Sequence, residues 1–359
     1  MGITEIVVIV IGIIMLIPTL ASITRFDHWW IRGFDFPRLQ ISFILMVEIT
    51  AFIIIFRFDE LWEVILLILL IFSLFYQLVR IYPYTILAKK TVQSFSGDDT
   101  KNHISILVSN VLTTNTNYKK LLALIKTKNP DLLLTLETDK KWESELEIIE
   151  KDYKYSVKIP MDNLYGMHLY SKLELKNINV KYLIDDEIPS IHGHAILPNG
   201  HPVKIHCLHP KPPSPTEDLT STNRDAELLF VGRDVKKDQE TVLVLGDLND
   251  VAWSRTTRLF QKISGLMDPR LGRGFFNTFH TGYLIFRWPL DHVFHTADFT
   301  LVNIARLESI GSDHFPMYIK LNHEPRAEEF QDKPEEADSE EEEWAEKKIN
   351  NGNPTETDV

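Results

Sequence analysis

Three long apolar stretches near the N-terminus constrain this chain more than any other feature. Residues 6–24 form an uncharged run rich in Ile, Val and Leu. Residues 39–56 form a second, broken only by Glu48, and residues 61–79 a third, with Glu63 near its start. Each has the length and composition of a helix that crosses a bilayer. A soluble core can absorb one such segment, but three so close together predict three transmembrane helices. The first does not read as a secretory signal: Glu5 is the only charge before it, and it lacks a small-residue cleavage site. Glu48, a lone acid in a span, is expected to make a helix–helix contact or to snorkel. Arg25, Arg32 and Arg38 lie in the first loop and Arg80, Lys89 and Lys90 follow the third stretch, against Arg57 alone on the other side. The positive-inside rule then places the N-terminus outside and everything after Val79 in the cytoplasm.

The net charge of -12 is concentrated at one end. Residues 324–359 carry 4 basic and 14 acidic side chains, whereas residues 99–323 carry 27 and 28. The near-neutral middle offers no broad electrostatic footprint for nucleic acid. The acidic end, with a run of Glu340 to Glu343, is expected to be a disordered tail repelled by anionic lipid. Cys207 is the single cysteine, which excludes an internal disulfide and a cysteine-based zinc site, and it is expected in the core.

Four units are therefore expected: a membrane region over 1–84, a polar linker over 85–101 that lets a globular domain stand off the bilayer, that domain over 102–323, and the tail over 324–359. Within the domain, apolar runs at 103–111, 131–137, 166–171, 192–197, 202–208, 241–245, 291–294 and 315–321 predict strands, the fourth and fifth joined by the hairpin turn Pro198-Asn-Gly200. Helices are predicted over 117–128, 223–236 and 255–263. This alternation predicts an α/β domain with a sheet-based core.

Polar groups stand at the ends of these strands. Gly246-Asp-Leu-Asn249 closes one, and alternation puts Asp247 and Asn249 on the same side. Alone it is equally a strand followed by an Asx turn. Asn110, Glu137, His209, Asp291 and Asp313-His314 occupy comparable positions. Carboxylate and amide oxygens suit a hard cation that neutralises charge on a phosphodiester in in-line attack, and an Asp–His pair supplies an oriented imidazole. His192, His194, His201, His206 and His209 invite a zinc reading, but a polar hairpin face is the expectation. Arg224 and Lys211 suit phosphate contact or a surface equally, and Trp288 suits a cleft or the core.

In this order and context, Ser109-Asn110, Leu136-Glu137, Gly166-Met-His-Leu-Tyr-Ser171, Leu208-His209, Gly246-Asp-Leu-Asn249, Pro289-Leu-Asp-His292 and Ser312-Asp-His314 resemble the endonuclease/exonuclease/phosphatase (DNase I-like) superfamily. The resemblance covers residues 102–322 and implies a two-sheet α/β sandwich, here preceded by three transmembrane helices, that hydrolyses phosphate esters with Mg²⁺ or Mn²⁺. It implies Glu137 as principal metal ligand supported by Asn110 and Asp313, with Asp247 activating water, Asn249 and His209 holding phosphate oxygens, and His314 facing the phosphate with its tautomer set by Asp291. Leu136 and Ser109 depart from the Gln and Trp the family often has there. The proline-rich His209-Pro-Lys-Pro-Pro213 is similar to bacterial members with N-terminal spans, so a multi-pass protein of a bacterial inner membrane is expected. Its partners would be the bilayer and a phosphate-ester substrate: nucleic acid, phospholipid or inositol phosphate. No protein partner is evident. The competing expectation is a non-catalytic membrane scaffold that binds phosphorylated ligands.

Overall fold

The computed structural model describes residues 2–97 and 101–355. Three helices are long and apolar enough to cross a membrane: α1 (Ile3–Ile23), α3 (Arg38–Ile55) and α4 (Leu61–Ile81), with the short α2 (Trp29–Arg32) between the first two. They pack through Val8, Leu45, Phe52, Leu66 and Leu70, while Ile13, Phe43, Ile54 and Phe75 are exposed on the outside. An apolar seam inside an apolar exterior is what a helix bundle in lipid presents. Glu48 is buried against Gly12 of α1, where a Cβ would come within 3.3 Å of its Oε1. At the domain-side end, Arg38 donates to Gln77 (2.6 Å) and Gln77 to Thr19 (3.0 Å), so one polar chain ties all three helices together.

The rest is a two-sheet α/β sandwich. One sheet has the order β10-β11-β1-β2-β4-β3 and the other β5-β6-β7-β8-β9. The strands are β1 (His103–Asn110), β2 (Leu132–Leu136), β3 (Tyr155–Ile159), β4 (Met167–Ser171), β5 (Glu174–Lys181), β6 (Ser190–Ile196), β7 (Pro202–Leu208), β8 (Val242–Asp247), β9 (Asp291–His295), β10 (Phe299–Arg306) and β11 (Met317–His323). On β1, Ile104, Ile106 and Val108 face the inter-sheet core while Leu107 faces outward under α5 (Tyr118–Lys128) and α6 (Lys140–Leu146). On β8, Leu243 and Leu245 face inward while Val242 and Val244 lie under α7 (Thr222–Asp238) and α8 (Arg255–Ser264). Helices cover both outer faces, which is why these strands read as continuous apolar runs rather than alternating ones. Each fully buried aliphatic side chain contributes about 1.5–3 kcal/mol.

Each sheet contains a single parallel pair, β1 with β2 and β7 with β8. Their other neighbours run antiparallel, so β9 and β11 begin where β8 and β1 end. Asp247 is thereby paired directly with Asp291. The topology gathers the ends of β1, β2, β7 and β8 and the starts of β9 and β11 at one edge of the sandwich.

Two expectations are corrected. The segment after α4 does not hold the domain off the bundle. Val92 is fully buried in the sandwich core, and on either side of it the segment bonds β10: Phe95 N donates to Leu301 O (2.8 Å) and Leu301 N to Gln93 O (2.8 Å). Asp98, Asp99 and Thr100 of the expected linker lie outside the described residues. The domain seats directly on the spans: Trp253 Nε1 donates to Asp35 O (2.7 Å), Tyr84 Oη to Ala252 O (2.6 Å), and Ile81, Tyr84, Trp253 and Leu290 share one apolar cluster. The acidic tail is also ordered in part. Residues Ser339–Gly352 form α9, started by a capping box between Asp338 and Glu341. Its buried Ala345, Lys348, Ile349 and Gly352 pack on α7, and Lys348 bonds Asp225 (2.7 Å) and Asp27. A stripe at i, i+3, i+4 and i+7 gives even this acidic helix a face to bury.

Candidate active site

Backbone geometry sets the site before any side chain does. Gly246 sits at φ +146, and a Cβ there would lie 1.9 Å from Leu208 O, so only glycine lets β8 approach β7 just before Asp247 and His209. Glu137, directly after β2, and Asn249, two residues after the end of β8, both adopt left-handed backbone (φ 60 and 50). For non-glycine residues this is a strained conformation, and the strain turns both side chains into the same pocket.

That pocket is lined by Glu137, Asp247, Asn249, His209, Asp313 and His314. Asn110 Nδ2 donates to Glu137 Oε1 (2.7 Å) and reaches Asp247 Oδ2 (3.2 Å). Its Oδ1 accepts from Leu112 N (3.1 Å). Asn110 therefore presents its amide nitrogen to both carboxylates and bridges them. His314 Nδ1 lies 2.8 Å from Asp291 Oδ2 and its Nε2 3.4 Å from Asp247 Oδ2, giving an Asp–His–Asp chain. Asp247 Oδ1 accepts from Asn249 N (3.0 Å), and Asn249 Nδ2 donates to Pro210 O (3.0 Å).

Charge in this pocket is unbalanced. Burial raises Glu137 to about 7, against the Asn110 hydrogen bond, with Asp313 and Asp247 adding repulsion. Glu137 Oε2 is buried and has no hydrogen-bond partner among the described residues. An orphaned buried carboxylate oxygen beside two further acids is a donor set that fits a hard divalent cation. Burial alone would depress His314, but Asp247 and Asp291 raise it to about 10, so it is held as an imidazolium. Burial lowers His209 to about 4, which keeps it neutral beside the same acids. Two histidines in one pocket thus hold opposite protonation states, because one faces two carboxylates and the other is chiefly desolvated.

Several residues take other places. His292 turns away from the pocket, with Nε2 on Asp250 O (2.9 Å) and Nδ1 on Arg270 (2.6 Å). Arg224 is buried, bonding Asp225 and donating to Asn249 O (2.8 Å), so it holds the Asn249 turn instead of meeting phosphate directly. Lys211 lies 3.5 Å from Asp185. His192 and His206 form a buried pair (Nδ1···Nδ1 2.8 Å), and His194 bonds Glu240. His201, Asp298 and His323 lie close enough together to share an ion, but at the opposite end of β7 from His209. There Thr241 bonds both His201 and Asp298.

Phe36 and Tyr165 were not anticipated. Tyr165 lines the pocket and donates to Glu217 (3.0 Å); its place just before Gly166 was the available signal. Phe36 also lines the pocket, yet it belongs to the segment between α1 and α3. Nothing local in the sequence marks it. Beside it a second, apolar cleft of about 440 Å³ shares Phe36 and Pro213 and is walled by Trp29, Pro37, Phe286 and Trp288.

The fold is similar to that of solved proteins. D. rerio TDP2 complexed with single-strand DNA product aligns with TM-score 0.52 at 16% identity, covering 62% of this chain and 100% of that one. The human nocturnin catalytic domain with bound sulfate aligns with TM-score 0.50 at 15% identity, covering 63% and 96%. An endonuclease/exonuclease/phosphatase family protein from Bacteroides thetaiotaomicron aligns with TM-score 0.50 at 14% identity, covering 61% and 97%. No curated protein matches the chain. Sequence carries the assignment further than these likenesses of fold: the model of the Endonuclease/Exonuclease/phosphatase family matches residues 107–314, from within β1 to the pocket histidine, and the chain belongs to that family.

Proposed function

We propose that this protein is a membrane-anchored, divalent-metal-dependent phosphodiesterase whose substrate is a membrane phospholipid. The observation that carries this reading is one pocket in which Glu137, Asp247 and His314 share a wall with Phe36, a residue from between two spans. The adjoining apolar cleft connects that pocket to Trp29 and Pro37, and the loop beside it exposes Leu284 and Ile285 (86% and 70%). Gln40, near the start of α3, bonds Ile285 O (2.6 Å), which sets this loop at the end of a span. Apolar surface of this kind beside a polar pocket suits an amphipathic substrate whose phosphate enters the site while its chains stay in apolar surroundings. A near-neutral domain gives no comparable support to nucleic acid.

In the proposed mechanism, Asp247 orients the attacking water and accepts its proton as the water oxygen bonds to phosphorus; the P–O bond opposite breaks, and the departing alkoxide takes a proton from solvent. The His314 imidazolium, held by Asp291, donates to a non-bridging oxygen and offsets the charge that develops there. His209, neutral, and the Asn249 amide fix the phosphate. Glu137 and Asp313 would hold Mg²⁺ or Mn²⁺, which when bound supplies electrostatic stabilisation of the phosphoryl oxygens.

The test is hydrolysis by the full-length protein of a soluble chromogenic phosphodiester, phospholipid vesicles, inositol phosphates, plasmid DNA and single-stranded RNA, with Mg²⁺, Mn²⁺ or chelator and with Asp247→Ala alongside. Metal-dependent turnover of lipid, lost in the variant, is expected. Turnover of nucleic acid alone would replace the substrate, and none of any class would favour the scaffold. We further propose a cytoplasmic domain; a phosphatase reporter fused after Val359 should be inactive, and an active one would reverse the orientation.

A further inference from the structure

A further cavity, of about 330 Å³, opens where the spans meet the domain. It is lined by Arg25 just past α1, Arg80 in the last turn of α4, Arg255, Arg258 and Lys262 on α8, and Trp344 with Glu341 on α9. The acids around it are already engaged: Glu341 of the lining with Lys262 (2.9 Å), Glu340 with Arg25, and Asp35, whose charge also reaches Arg255, with Arg32 and Arg38. Among the described residues, Arg80, Arg255 and Arg258 make no ion pair. Arg255 donates to the carbonyls of Ile23 (2.8 Å) and Thr24 (3.3 Å) at the end of α1. Arg258 donates to Ser254 O (3.2 Å), and the Arg80 guanidinium lies 5.0 Å from the Tyr76 ring. These partners are neutral. Burial, with Arg80 and Arg38 nearby, lowers Arg258 to about 10, the direction expected when cations crowd without an anion.

Three uncompensated guanidiniums around one half-buried cavity call for an anion, and planar N–H forks match phosphate oxygens. The depth of the cavity narrows the choice. It lies at the domain-side ends of α1 and α4, where the headgroups of the adjacent leaflet must sit if the bundle spans a bilayer, and basic pockets at that level suit anionic lipid. We propose that this cleft binds the phosphate headgroup of an anionic phospholipid and so fastens the domain to its spans. It is separate from the hydrolytic pocket, and the residues that line it are not those of that pocket.

The test uses the full-length chain in nanodiscs of phosphatidylcholine, with and without phosphatidylglycerol. Phosphatidylglycerol should raise the melting temperature of the wild type, and native mass spectrometry should find it retained at least fivefold over phosphatidylcholine. Arg80→Gln with Arg258→Gln should abolish that preference, with hydrolysis of the soluble chromogenic diester and far-UV circular dichroism unchanged. Arg25→Gln, at an exposed position, should weaken it less. No preference in the wild type, or an equal preference in the folded double variant, overturns the proposal. Inorganic phosphate that stabilises the wild type in pure phosphatidylcholine as much as the lipid does would assign the cleft to free phosphate and overturn the lipid reading.

Discussion

The Asn110 amide nitrogen lies 2.7 Å from Glu137 Oε1 and holds that carboxylate beside Asp247, which the same nitrogen reaches at 3.2 Å. One neutral donor thus spaces two acids that would otherwise repel across a buried pocket. Asn110→Asp replaces the bridge with a third carboxylate. Hydrolysis of a soluble phosphodiester should fall by about 10²-fold or more, while Asn110→Ser, which keeps a donor, should lose less. Equal rates for wild type and Asn110→Asp would remove Asn110 from the site's electrostatics.

Asp291 and His314 predict a pH signature. The imidazole is raised to about 10 by two carboxylates, so a step that needs imidazolium is intact at neutral pH and is lost as pH rises through that value. Asp291→Asn removes one of those anions and must lower the histidine. The basic limb of the kcat profile should move toward neutrality, with kcat down by about 10²–10⁴-fold at pH 7. An unmoved limb would show that another group titrates.

Glu137 predicts how metal and pH combine in stability. Its folded value of about 7 lies above the ordinary 4.5, so the folded protein keeps a proton that the unfolded chain has released. Stability of the metal-free protein should therefore fall as pH rises from about 4.5 through 7, then level off. A bound divalent cation favours the carboxylate and should offset that loss. The melting-temperature gain from Mg²⁺ or Mn²⁺ should be larger at pH 8 than at pH 5, and Glu137→Gln should shrink both the gain and the pH slope. A gain as large at pH 5 would place the cation elsewhere.

Gly246→Ala tests the backbone approach behind the site. The new Cβ would meet Leu208 O at 1.9 Å with φ still at +146. The cost is about 2–4 kcal/mol, which a lowered melting temperature would report, together with loss of hydrolysis as Asp247 and His209 shift. A variant with unaltered stability and rate would mean that β7 and β8 can separate freely.

Much of this organisation is written in local sequence. The three apolar stretches foretell α1, α3 and α4 because hydropathy and length are properties of a segment by itself. The central strands are legible because both their faces are covered, which makes them uniformly apolar, and of the polar residues just past those runs Glu137, His209, Asp247, Asn249, Asp313 and His314 line the pocket while Asn110 and Asp291 support them from behind. The edge strands β3, β5 and β10 are not among the predicted ones: a half-exposed strand shows only a short alternation, as at Tyr155, Val157 and Ile159, in place of an apolar run, and β5 and β10 are further broken by register shifts. The helix of the acidic tail was hidden by its charge, although its capping box and its Ala345–Ile349 stripe were present in the sequence.

Tertiary structure alone decided which way Asn110 turns its amide, why His314 is charged while His209 is not, and that Arg224 serves the Asn249 turn. Each depends on charges brought together from distant parts of the chain, where burial multiplies their effect. It also decided that the domain rests on the three apolar helices. Phe36 reaches the pocket and Arg80 reaches Arg258 through long-range contacts that no local pattern encodes.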